Sequence, residues 1–113
     1  MHAIEKILAQ AAGKEKVFTG EIVNAKVDFA EVNDLYLQTI LSFYEMGGKK
    51  VWDPSRLAFV FDHYAPAPTI QSAEIHDKMR QFVQEQNLTY HFDINAGVCH
   101  QVMPEAGVVY PGM

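Results

Sequence analysis

Cysteine, basic charge and long apolar runs are all scarce in this sequence. Of its 113 residues only one is a cysteine, Cys99. A lone cysteine excludes an internal disulfide and suits a reducing compartment. It also excludes a zinc site built on Cys-x-x-Cys spacing. Nine Lys and Arg stand against fourteen Asp and Glu, giving a net charge of −5. The densest positive stretch, Lys14–Lys16, is interrupted by Glu15. Nucleic acids and anionic membranes demand clustered Lys and Arg, so neither is expected as a partner. The longest unbroken apolar run, Leu57–Phe61, is far too short to cross a bilayer. The opening stretch MHAIEKILAQ carries Glu5 and Lys6 among its apolar residues and does not read as a secretory signal. The glycines of AGVCH and EAGVVYPG are not followed by Gly-Lys-Ser/Thr, so they form no phosphate loop. A soluble cytoplasmic protein is the expectation.

What is present is apolar side chains, 49% of the residues, enough for the core of one domain over residues 1–113. Ile4, Ile7, Leu8 and Ala11 share one helical face, and Gly13 offers a stop. Ala25, Val27 and Phe29 alternate with polar residues and predict a half-buried strand. Asn33 or Asp34 can cap a second helix carrying Leu37, Ile40, Leu41 and Tyr44, which Gly47–Gly48 ends. After the Asp53–Pro54 turn, LAFVF reads as a strand buried on both faces. YAPAP holds the chain extended. A third helix is predicted from about Thr69, with Ile75, Met79, Phe82 and Val83 on one stripe. Leu88, Tyr90, Phe92 and Ile94 then alternate as another strand. This order predicts an α/β fold, layered α/β/α with a largely parallel sheet.

Parallel sheets place binding groups beyond the carboxyl ends of their strands. Asn33–Asp34, Asp62–His63 and Cys99–His100 all fall at or just after predicted strand ends. A histidine beside a carboxylate suits a general acid or base. Neighbours in extended chain point to opposite faces, however, so Asp62 orients His63 only if the backbone turns. The other reading is Asp62 as a turn cap and His63 as a surface residue. Adjacency also disfavours a Cys99–His100 nucleophile and base pair. Cys99 therefore reads as packing and His100 as a separate catalytic candidate. His2, His76 and His91 read as solvated residues.

In order along the chain stand IEKILA at Ile4–Ala9, GEIV at Gly20–Val23, ND at Asn33–Asp34 and KVWDP at Lys50–Pro54. DH at Asp62–His63 and GVCHQV, PE, G and PG between Gly97 and Gly112 complete the series. With these motifs the whole chain resembles the amino-terminal part of the large subunit of aconitase-superfamily hydro-lyases, the branch of 3-isopropylmalate dehydratase and homoaconitase. The resemblance implies a partial first domain of an aconitase-like fold. It implies dehydration of a small hydroxy di- or tricarboxylate and rehydration on the neighbouring carbon. A [4Fe-4S] cluster serves there as Lewis acid in the full-length family enzyme. By the same resemblance His63 helps protonate the departing hydroxyl with Asp62 as its partner, His100 sits at the same site, and Asn33 holds a substrate carboxylate.

The family's cluster cysteines, its carboxylate-gripping arginines and a DSHT-like stretch whose aspartate pairs with the histidine at position 100 have no counterpart here. The expectation is a fragment, cut after the Pro111–Gly112 turn, that alone binds no cluster and is inactive. The remainder of the large subunit and a small subunit are its expected partners. A non-catalytic binding or interaction module on the same scaffold is the alternative. A cut core should expose an apolar face or strand edge, so association into a homo-oligomer is expected.

Overall fold

The run LAFVF has an apolar side chain at every position, so it is stable only with both faces covered. A computed structural model, describing all residues 1–113, shows how this is done. The elements in order are α1 (Ala3–Ala11), β1 (Ala30–Asn33), α2 (Leu37–Glu45), a 3-10 turn at Pro54–Arg56, β2 (Leu57–Val60), α3 (Ile70–Gln86), β3 (Tyr90–Phe92) and α4 (Cys99–Glu105). The strands form one sheet in the order β1-β2-β3, parallel throughout, with β2 in the middle. Ala30 pairs with Leu57 and Ala58 with Tyr90.

Alternation along β2 divides the core in two. Phe59 and Phe61 face α2 and α3, where they meet Ile40, Met79, Phe82 and Val83. Ala58 and Val60 face the other way, onto Cys99, Met103 and Val108. The Phe59 and Phe82 rings stack at 5.6 Å, and Phe82 meets Phe43 edge-on at 5.5 Å. The layered α/β/α arrangement expected from the sequence is therefore present. No helix is long and apolar enough to cross a membrane.

Helix α3 has both ends written in its residues. Thr69 Oγ1 accepts from the Ser72 N–H at 3.1 Å, and Ser72 Oγ accepts from the Thr69 N–H at 3.0 Å. Asn87, at φ +53°, closes the helix in the left-handed region. Helix α2 ends at Glu45 and the chain leaves it through Gly47, at φ +80°.

Several expectations need correction. The alternating stretch from Asn24 to Phe29 is not a strand: the first strand lies at Ala30–Asn33, and Val27 is 57% exposed. Its alternation finds no neighbouring strand, because β2 reaches only as far as Ala30. Asn33 and Asp34 do not cap α2, whose N-cap is Tyr36. Cys99–His100, expected only to follow a strand end, opens a seven-residue helix that was not predicted. His76 is buried on the inner stripe of α3, not solvated. His91 sits on the same face of the sheet as Phe59, with which it is in register. There it lies edge-on to Phe61 at 4.9 Å, half-buried, with no hydrogen-bond partner for Nε2.

Two outcomes follow from this packing. Phe59→Ala empties the centre of the α2/α3 face and should lower unfolding free energy by about 3–5 kcal/mol in a urea titration. At the end of β3, Arg80 donates to both oxygens of Asp93, at 2.7 and 2.8 Å, and holds its carboxyl down to about 2. A carboxyl depressed in the fold adds stability above its unfolded value of about 3.9 and loses it as pH falls toward the folded value. The pair is partly solvated, so its worth is about 1 kcal/mol at most. The stability gap between the native chain and Asp93→Asn should be constant above about pH 5 and close between about pH 4 and 2.

Candidate active site at the carboxyl ends of β1 and β2

Beyond β2 the chain must leave the apolar interior, and its first polar residues, Asp62 and His63, turn back on each other. The His63 ring Nδ1 lies 2.7 Å from Asp62 Oδ1, so the adjacent side chains do meet. The Asp62 side chain is nearly buried, whereas that of His63 is 42% exposed. The second Asp62 oxygen accepts from the Cys99 N–H at 2.7 Å. A carboxylate from the end of β2 thus satisfies a free N–H in the first turn of α4. Burial works against ionisation of Asp62, but the Cys99 N–H and His63 outweigh it, and its carboxyl lies below the ordinary value.

Behind this pair lies Asp34, the residue after β1, with no solvent exposure. One of its oxygens accepts from the His63 N–H at 3.0 Å; the other accepts from the Tyr64 N–H at 2.8 Å and lies 2.9 Å from His76 Nε2. Burial opposes its charge too, yet the His76 ring and the two backbone donors hold its carboxyl below the ordinary value. His76 stacks on Phe61 at 4.5 Å, so its orientation is set by the core.

Asn33 is the last residue of β1, and its Oδ1 accepts from the Leu35 N–H at 3.1 Å. Its side chain is not drawn into the Asp62–His63 pair. His100 is exposed at the start of α4, beside a cavity of about 220 Å³ lined by Glu31, Cys99, His100, Met103, Pro104 and Val109. The Glu31 carboxyl is raised by partial burial and then by Asp62, while His100 and His63 draw it back. Glu31 was not singled out from the sequence; Asp34 was read only as a helix cap or one of the Asn33–Asp34 strand-end pair, and His76 as solvated. His76 had a legible signal, since it lies three residues before Met79 and seven before Val83 on the buried stripe of α3.

Asp34, Asp62 and His63 each offer an atom within 4.8 Å of the others. Those atoms are already engaged: Asp34 by three donors, and Asp62 by Cys99 and His63. The cluster is a hydrogen-bond network. Cys99 does not fit an iron–sulfur ligand. Such clusters are held by several thiolates, and Cys99 is the one cysteine of the chain and is buried. Burial, then the Asp62 carboxylate, push its thiol up to about 11.

No family model matches the chain. Among curated proteins it is 47% identical, over 113 residues, to the probable 3-isopropylmalate dehydratase large subunit of Methanothermobacter thermautotrophicus. The match takes in 99% of this chain and 27% of that protein. It is also 47% identical, over 118 residues, to the probable methanogen homoaconitase large subunit of the same organism, covering 100% of this chain and 28% of that protein. With the 3-isopropylmalate dehydratase large subunit of Moorella thermoacetica it shares 46% identity over 114 residues, 99% of this chain and 27% of that protein. Over its whole length the chain is similar to the large subunits of 3-isopropylmalate dehydratase and homoaconitase. It spans about 27% of the length of the dehydratase large subunits it matches. The expected resemblance to the aconitase-type hydro-lyases therefore holds over the whole chain.

The state of Cys99 is open to direct measurement. Buried and protonated, it should react with iodoacetamide at least tenfold more slowly than a free thiol at about pH 8. Denaturant should restore the full rate. Rapid alkylation of the folded chain would contradict the packing described.

Proposed function

We propose that this chain forms part of an iron–sulfur hydro-lyase of the 3-isopropylmalate and homoaconitate class, which moves a hydroxyl between neighbouring carbons of a small hydroxy acid. The observation that carries the proposal is the contact of His63 with Asp62 at the carboxyl end of a parallel sheet, in a chain 47% identical to 3-isopropylmalate dehydratase and homoaconitase large subunits.

With Nδ1 held by the Asp62 carboxylate, the outward Nε2 of His63 is the atom left to exchange a proton. In its charged form the ring gives a proton to a departing hydroxyl; in its neutral form it takes one from water in the reverse sense. His100 borders the same end of the sheet and serves as a second polar wall to the substrate. Asn33 keeps its amide Nδ2 available to donate to a substrate carboxylate, since its Oδ1 is used within its own turn. The [4Fe-4S] cluster of the family enzyme would be held by cysteines in the rest of a full-length large subunit, and Cys99 takes no part in holding it. The rest of the large subunit and a small subunit are the proposed partners, the latter because the relatives are named as large subunits.

The test is a chimera. This chain replaces the matching segment of the Methanothermobacter thermautotrophicus dehydratase large subunit, which is produced with its small subunit. The chimera should turn over 3-isopropylmalate or homoaconitate, followed by absorbance of the unsaturated acid. His63→Ala within it should lower kcat by about 10²–10⁴. The isolated chain should be inert in the same assay. A folded, cluster-loaded chimera that turns over neither acid would overturn the proposal, as would a His63→Ala chimera with undiminished kcat.

A further inference from the structure

The contact between Asp62 and His63 has a backbone requirement. In extended chain adjacent side chains diverge, so a carboxylate cannot hold the imidazole of the next residue unless the chain turns between them. Here the turn is held from behind by Asp34. Its carboxylate receives the consecutive N–H groups of His63 and Tyr64, at 3.0 and 2.8 Å, which fixes the planes of two successive peptides. Those planes set the direction in which the His63 side chain leaves the backbone. His63 Nδ1 consequently lies 2.7 Å from Asp62 and 3.7 Å from Asp34.

A fully buried carboxylate is costly unless its oxygens are all occupied by donors. Two backbone N–H groups leave room for a third donor, and His76 supplies it from α3 at 2.9 Å. Position 76 lies on the apolar-facing stripe of that helix, between Ser72 and Met79, where an aliphatic residue would pack without any hydrogen-bond demand. An imidazole there, 2% exposed and stacked on Phe61, is accounted for by the carboxylate it meets.

The geometry points to Asp34 as a positioning residue that orients His63, with the buried ring of His76 holding Asp34 in place from α3. Neither residue faces the open side of the site, and each acts through another: His76 through Asp34, and Asp34 through the 62–64 backbone. The inference deepens the hydro-lyase proposal and rests on it only for the use to which His63 is put.

Nitrogen-detected NMR of the histidine rings, in the chain as it stands and at about pH 8 where imidazoles are neutral, tests it. The native chain should show His63 mainly as the Nδ1–H tautomer, donating to Asp62. His76→Asn retains a donor toward Asp34 and should preserve that tautomer. His76→Leu removes the donor and should lower the ratio of Nδ1–H to Nε2–H at His63 about tenfold, with the circular dichroism of the fold intact. An unchanged ratio in folded His76→Leu overturns the inference, as does an equal loss in His76→Asn. Should His76→Leu fail to fold, Asp34→Asn is read in the same way: a fallen ratio supports the assignment and a native one overturns it. The measurement needs no turnover. An inactive chimera with the expected tautomers fails only the hydro-lyase proposal, and an active one with an indifferent His63 fails only this inference.

Discussion

Ala58 and Val60 are covered by α4 while Phe59 and Phe61 are covered by α2 and α3, so β2 has no face left for a polar side chain. Every polar group the chain needs near its centre has to wait until the strand ends. It then arrives all at once, as Asp62 and His63, at the edge of an apolar interior where charges are stable only with partners. The partners come from elements packed on both faces: Asp34 and His76 from the α2/α3 side, and the first turn of α4 from the other. Burial of the central strand and the polar network at its end are two consequences of one arrangement.

That arrangement lets two carboxylates sit close together. Each is occupied by donors that belong to the fold, and both remain below their ordinary carboxyl values despite burial. Asp62 has a double task, since one oxygen holds the imidazole of His63 and the other the amide of Cys99. Asp62 therefore ties helix α4, and with it His100, to His63, while the packing of Cys99 and Met103 on Ala58 and Val60 seats the helix. Such sharing makes the site sensitive to small displacements, because an error in α4 is passed to the imidazole through Asp62.

Much of this was legible in the residues. The doubly buried LAFVF strand, the start of α3 near Thr69 and the placement of Asp62–His63 at a strand end all follow from local pattern. The alternation of Ala25, Val27 and Phe29 misled, because period two states only that a strand would have distinct faces, not that a neighbour exists to pair with it. His76 was misjudged for a related reason. Its spacing to Met79 and Val83 marks the buried stripe of α3, but nothing local says that a buried acid waits there, because that partner is 42 residues earlier in the chain. The pairing of Asp62 with His63 was likewise undecidable from adjacency, since the turn that permits it is held by Asp34, which lies just past a different strand.

The most direct measurement of this network is native-state hydrogen exchange at three amides that belong to no strand ladder. His63, Tyr64 and Cys99 each donate a backbone N–H to a buried carboxylate. If the network exists as described, they exchange as slowly as the amides of β2, because opening them requires the core to open. Exchange at the rate of the exposed segment around Lys14 and Glu15 would contradict it.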